Sequence, residues 1–200
     1  MAIINPENRE AEVKLIYYGP GRAGKTSNLK YIYNKFAQRI KGKLTSINTN
    51  GDSALFYDSL PLEIGRVKGY KIRAQLYTIP GQVQYKATKK LVLKGVDGVV
   101  FVADSMALRQ QLNIDSLEDL KENLAIFGKN ILQTPLVFQY NKRDLEEQGI
   151  PLLSYETLEK DLNSQLVAPS FEASTVTGFN VVETVKKAIS LTVASLQDRL

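Results

Sequence analysis

The chain has no cysteine, no histidine and no tryptophan, and these absences narrow its chemistry before any motif is read. Without cysteine, disulfides and thiolate metal sites are excluded and a reducing compartment is permitted. Without histidine, the commonest general base and the usual zinc ligand are missing, so any metal must be held by oxygen, which favours magnesium. No apolar run approaches the ~20 residues that a membrane span requires. The N-terminal MAIINPENREAEVK is charged and lacks the apolar core of a signal peptide, and neither end carries a myristoylation or prenylation signal. No five like charges follow one another. The formal charge of +5 suits an anionic partner, but lysines and arginines scattered over solvated helix faces explain it more simply. A cytoplasmic protein is expected, with no membrane insertion, no nucleic-acid partner and a monomeric state.

What is present describes one folded unit. Two hundred residues, 44% hydrophobic and 24% charged, suffice for a single buried core, so residues 1–200 are read as one domain. Short β-branched or aromatic runs alternate with helical patterns, as βαβ units around a parallel sheet do. The strand candidates are Val13–Tyr18, Leu62–Val67, Lys71–Thr78, Gly98–Ala103, Pro135–Tyr140 and Pro169–Ala173, with a hairpin through Lys68-Gly69-Tyr70. Most are apolar throughout, as a sheet covered on both faces requires. Helices are predicted over Lys25–Phe36, Tyr85–Leu93, Leu117–Phe127, Tyr155–Leu166 and Val181–Leu196. Ser116 with Asp119, and Asn180 with Glu183, resemble capping pairs. In the last helix Val181, Val185, Ala188, Ile189, Thr192 and Leu196 fall on one stripe, read as core. The least regular stretch is Gly42–Pro61, rich in Asn, Ser, Thr and Asp.

The strongest motif is Gly19-Pro20-Gly21-Arg22-Ala23-Gly24-Lys25-Thr26, a complete G-x-x-x-x-G-K-T between a strand and a helix, continued by Ser27. Its glycines let the backbone curl until successive N–H groups face a polyphosphate, the helix dipole adds positive potential, and Lys25 reaches the outer phosphates. Thr26 then ligates magnesium. Arg22 either adds a cation near the phosphates or points to solvent. Asn141-Lys142-Arg143-Asp144 follows the strand PLVFQY. The Asp144 carboxylate can accept the N1 proton and the 2-amino group of guanine, a pair that adenine does not offer. Asn141 suits N7, and the Lys142 stem suits the face of the base. Phe171-Glu172-Ala173-Ser174 closes the last strand, where the Ala173 N–H either meets the guanine O6 or simply ends the strand. After the strand KIRAQLY, Thr78-Ile79-Pro80-Gly81-Gln82 offers the Gly81 N–H to a γ-phosphate and Gln82 to an attacking water, a plain proline turn being the alternative.

Together YYGPGRAGKTSNLKYIY, LFYDSLPLEIG, KGY, LYTIPGQVQY, KLVLKGVDGVVFVADS and NKRDL resemble the MglA family of bacterial Ras-like GTPases of cell polarity and gliding motility, from about Asn5 to the last helix. The resemblance implies a P-loop NTPase of Ras-like α/β/α layering with a mostly parallel six-stranded sheet, GTP or GDP with Mg2+, and a nucleotide-dependent switch. It also implies a roadblock-type, MglB-like regulator, partners in polarity or motility, and recruitment to a cell pole. Most Ras-like proteins carry an aspartate where Thr78 stands, and Asp58 matches the carboxylate that partly replaces it near the metal; a solvated loop acid is the bland alternative for Asp58. Where the family usually has an arginine and a threonine, this chain has Ser53-Ala54. The arginine is the family's built-in finger, a device typically worth ~10³ to 10⁵ in rate, so slow turnover is expected.

Overall fold

The computed structural model describes residues 2–37, 44–48, 56–79 and 86–196. Among them one sheet of eight strands forms. β1 (Ile3–Asn5) and β2 (Glu10–Tyr18) lead into α1 (Lys25–Phe36), followed by β3 (Thr45–Asn48), β4 (Phe56–Val67) and β5 (Tyr70–Thr78). The second half runs α2 (Lys86–Leu93), β6 (Gly98–Asp104), α3 (Gln110–Ile126), β7 (Leu136–Asn141), α4 (Tyr155–Leu158), β8 (Ser170–Glu172) and α5 (Val181–Ala194). The strand order is β3-β4-β5-β2-β6-β7-β8, with β1 beside the start of β2. β5, β2, β6, β7 and β8 are parallel, whereas β3, β4 and β5 are joined antiparallel.

Alternation along β2 builds two apolar layers. Val13, Leu15 and Tyr17 face the side where Leu29 and Ile32 of α1 meet Val181, Val185 and Ala188 of α5. Ile16 and Tyr18 face the other side, where Val92 and Leu93 of α2 meet Leu117, Leu120 and Leu124 of α3. Each buried leucine or isoleucine contributes about 1.5–3 kcal/mol. Every member of the predicted α5 stripe is buried. Among the described residues no helix is long and apolar enough to cross a membrane.

Several expectations are corrected. The described sheet has eight strands rather than six, because β1 and β3 have only three and four residues, too few to show a period. The irregular stretch 42–61 contains β3 and the start of β4, and Asp58 pairs with Ser46 across that ladder. α3 begins at Gln110, so Ser116 lies inside it and caps nothing; a tight turn over Ala107–Arg109 feeds the helix directly. Asn180 has a left-handed φ of 53° and makes no side-chain cap with α5. Its Nδ2 donates instead to the Glu172 carbonyl at 2.9 Å, which ties the helix start to β8. The helix expected over Tyr155–Leu166 is α-helical only to Leu158 and widens into a π turn over Glu159–Asn163. Asn163 ends it by bonding both the N–H and the carbonyl of Ala168 at 2.8 Å.

Candidate functional site

The carboxyl ends of β2, β6 and β7 converge, and the loop 19–24 lies across them. Gly19 has φ +137°, and a Cβ there would stand 2.1 Å from the Val102 carbonyl oxygen of β6. Gly24 has φ +103°, and its Cβ would stand 2.2 Å from Asn141 Nδ2 at the end of β7. Both glycines are therefore demanded by conformation and by close approach. Arg22 is also left-handed, at φ 66°, and its side chain is exposed, as is Ser27, so the solvent-facing alternative for Arg22 is the observed one. Ala23 is fully buried.

Lys25 opens α1 and is only 7% exposed. Its ammonium donates to the Gly19 carbonyl at 2.8 Å and the Pro20 carbonyl at 2.7 Å. Burial, reinforced by the neighbouring charges of Lys89 and Arg109, lowers its pKa to about 7. Such a group gains from an anion, which would restore the charge that burial opposes. Lys89 is itself fixed: its ammonium meets Asp119 of α3 at 2.6 Å, and the Tyr18 hydroxyl donates to the same carboxylate at 2.5 Å.

The adjacent Thr26 donates its hydroxyl to Asp58 Oδ2 at 2.6 Å. Thr78, at the end of β5, donates to the same oxygen at 3.0 Å and accepts the Asp58 N–H at 2.9 Å. Asp58 is 2% exposed, so it is not a solvated loop acid. Among the described residues no group of three or more acidic, histidine or cysteine side chains could hold a metal. The donors that do converge are all hard oxygens, and they are few. That fits magnesium, which usually takes one or two protein oxygens and completes its shell with phosphate and water.

The base-side loop is joined to the phosphate loop by the buried amide of Asn141. Asn141 Nδ2 donates to the Ala23 carbonyl at 2.7 Å, and its Oδ1 accepts the Thr175 N–H at 3.1 Å. Lys142, left-handed at φ 74°, donates Nζ to Asp104 Oδ2 at 2.7 Å. Asp144 Oδ1 accepts the Ser174 hydroxyl at 2.5 Å, and the Ser174 oxygen also receives the N–H groups of Val176 and Thr177 at 3.2 Å. The Ala173 N–H donates to the Tyr140 carbonyl at 2.8 Å, so of its two readings the strand end is the one seen. Asn28 of α1, which carried no sequence signal, links the Gly24 carbonyl at 3.0 Å to Gln139 Oε1 at 2.7 Å. Gly81, Gln82, Ser53 and Ala54 lie outside the described residues.

No family model matches the chain. Over 197 residues it is 48% identical to the mutual gliding-motility protein MglA of Myxococcus xanthus, with 98% of each chain covered. The likeness extends over nearly the whole chain. The chain therefore belongs to the MglA family of bacterial Ras-like small GTPases.

Proposed function

We propose that this chain is a guanine-nucleotide switch serving cell polarity or gliding motility, with slow intrinsic hydrolysis of GTP. The observation that carries the nucleotide reading is the Asn141 bridge, which joins the Ala23 carbonyl to the Thr175 amide and so unites two loops into one site. In this reading the amides of residues 21–24 and Lys25 bind phosphate. Thr26 and Asp58 would hold magnesium, which supplies charge neutralisation of the outer phosphates when bound. Asp144 selects guanine, Asn141 meets N7, which any purine offers, and the stem of Lys142, tethered at its far end, lies along the base. Gln82 orients the attacking water, and catalysis is electrostatic because the protein contributes no covalent step. The gliding-motility role follows the name of the Myxococcus protein, and the roadblock-type regulator and pole recruitment follow the family.

A second reading, a nucleotide-bound scaffold with negligible turnover, is favoured by Ser53, which lacks the guanidinium usual at that position, and by Ala54, which lacks the usual threonine hydroxyl. Calorimetry with GTP, GDP and ATP, with and without magnesium, tests the nucleotide reading: ATP binding as tightly as GTP would overturn it. Single-turnover phosphate release separates switch from scaffold. The double change Ser53→Arg with Ala54→Thr is expected to raise the rate by at least ~10-fold, a conservative fraction of an arginine finger's usual worth. No phosphate release from either protein favours the scaffold.

A further inference from the structure

β6 ends in a carboxylate that belongs to neither the phosphate motif nor the base motif. The Asp104 side chain is 1% exposed and takes two cations, Lys142 Nζ at 2.7 Å and Arg109 Nε at 3.4 Å. Its backbone is clamped by Asn113 of α3, which accepts the Asp104 N–H at 2.9 Å and donates to the Asp104 carbonyl at 2.9 Å. The Met106 N–H adds a bond to Oδ1 at 3.2 Å. A carboxylate withdrawn from water is unfavourable unless paired and hydrogen-bonded. Here its partners come from opposite halves of the site.

Arg109, in the turn between β6 and α3, also donates Nη2 to the Gly21 carbonyl at 2.6 Å. In a trans peptide the C=O and the following N–H point in opposite directions. A guanidinium that holds the Gly21 oxygen on one side therefore turns the Arg22 N–H to the other. Arg22 and Gly24 are both at positive φ, and successive amides around left-handed residues make an anion-binding concavity. Within the phosphate motif that peptide is spanned by a long turn bond, from the Ala23 N–H to the Pro20 carbonyl at 3.4 Å, and the fork of Arg109 adds a much shorter hold on its oxygen.

We propose that Arg109 is a positioning residue for the phosphate loop and that Asp104 couples it to Lys142, so that phosphate and base affinities are set jointly through one buried carboxylate. The inference rests on the guanine-nucleotide reading above. It assigns no direct contact with the reacting atoms to either residue. Two cations on one carboxylate leave an excess of positive charge beside the loop, which suits a polyanion. The rival is a staple that merely stabilises the turn after β6.

The test is calorimetric binding of GDP, of GMP, which lacks the β-phosphate, and of IDP, which lacks the 2-amino group. The proteins are the unsubstituted chain, Arg109→Gln, Arg109→Lys, Lys142→Gln, Asp104→Asn and the double Arg109→Gln with Lys142→Gln, each also melted without nucleotide. Arg109→Gln is expected to weaken GDP about 10-fold and to shrink the GDP-over-GMP preference by a similar factor, with the GDP-over-IDP preference within about twofold. Arg109→Lys recovers only part, because an ammonium does not fork to two acceptors. Asp104→Asn shrinks both preferences. The effects of Arg109→Gln and Lys142→Gln on GDP are non-additive by about threefold or more, as side chains sharing one partner are. Additive effects, or a lowered melting temperature with equal losses for all three nucleotides, overturn the proposal. If Asp104→Asn does not fold, the Arg109–Lys142 cycle decides alone. Failure of the unsubstituted chain to bind GDP removes the nucleotide reading and this inference together, whereas tight GDP binding with additive variants removes only the coupling.

Discussion

On the base side of the site Asn141 and Ser174 hold the loops with bonds to protein groups, whereas on the metal side Thr26, Asp58 and Thr78 bond one another. The first set leaves the remaining faces of Asp144 and Lys142 for a ligand while the scaffold stays intact. The second set gathers around one carboxylate, and because a hydroxyl that donates its proton keeps its oxygen lone pairs, Thr26 could face a cation while its 2.6 Å bond to Asp58 stands. The base half is held through backbone groups and a serine hydroxyl, the metal half through one buried carboxylate shared by two hydroxyls. In the proposed reading nucleotide identity depends on the base half, and the response to magnesium on the charge of Asp58.

The contrast sharpens most at Asp144. On the proposed guanine reading Asp144→Ala would remove two charge-assisted hydrogen bonds to the base and is expected to weaken GDP by about 10²- to 10⁴-fold in calorimetry. Retained nanomolar-range preference for guanine over adenine after that change would break the base-side account. Asn141→Ala leaves the buried Ala23 carbonyl and the Thr175 amide without their partner. About 2–4 kcal/mol of stability should be lost even without nucleotide, seen as a lower denaturation midpoint. An unchanged midpoint would mean that the bridge does not pre-organise the loops.

Lys25 provides a pH signature. Its folded pKa of about 7 lies below the ordinary 10.5, so its buried charge destabilises the nucleotide-free protein fully below pH 7, and that penalty shrinks as the pH rises towards 10.5. A bound phosphate favours the ammonium, so binding between these values takes up close to one proton. GDP affinity should fall by up to about tenfold per pH unit above 7. Calorimetry in buffers of different ionisation enthalpy reads the uptake directly, and a binding enthalpy independent of buffer at pH 8.5 contradicts it.

The smallest effect is expected at Asp58. Asp58→Asn keeps the shape and an acceptor for Thr26 but lowers the charge. It should reduce the magnesium enhancement of GDP binding by about fivefold to tenfold, with magnesium-free binding within about twofold. An equal loss with and without magnesium would move Asp58 from the metal side to the scaffold.

Much of the frame was legible because its signals are local. The strand ends at Tyr18 and Thr78, the end of β7 to within one residue, and the stripe on α5 came from hydrophobic period, and the phosphate loop came from its glycines. The misreadings arose where tertiary contacts overrode local preference. Ser116 looks like a cap but sits within α3, because the turn at Ala107–Arg109 starts that helix without one. Asn180 looks like a cap but bonds β8, since an amide that reaches a strand carbonyl is no longer available to the helix. Asp58 is matched to the metal-side carboxylate by resemblance alone, and what no local signal shows is that pairing with β3 buries it beside Thr26.

The order of residues determined by itself which side chains could grip a polyphosphate and a purine, since Gly19–Thr26 and Asn141–Asp144 carry that chemistry in contiguous runs. Only the tertiary structure decided how those runs are braced. Asn141 meets Ala23 across 118 positions, Arg109 meets Gly21 across 88, and Asp58 meets Thr26 across 32. Contacts of that span depend on strand order and register, which no local period records, because a side chain finds its partner only after the sheet has set the distance between them.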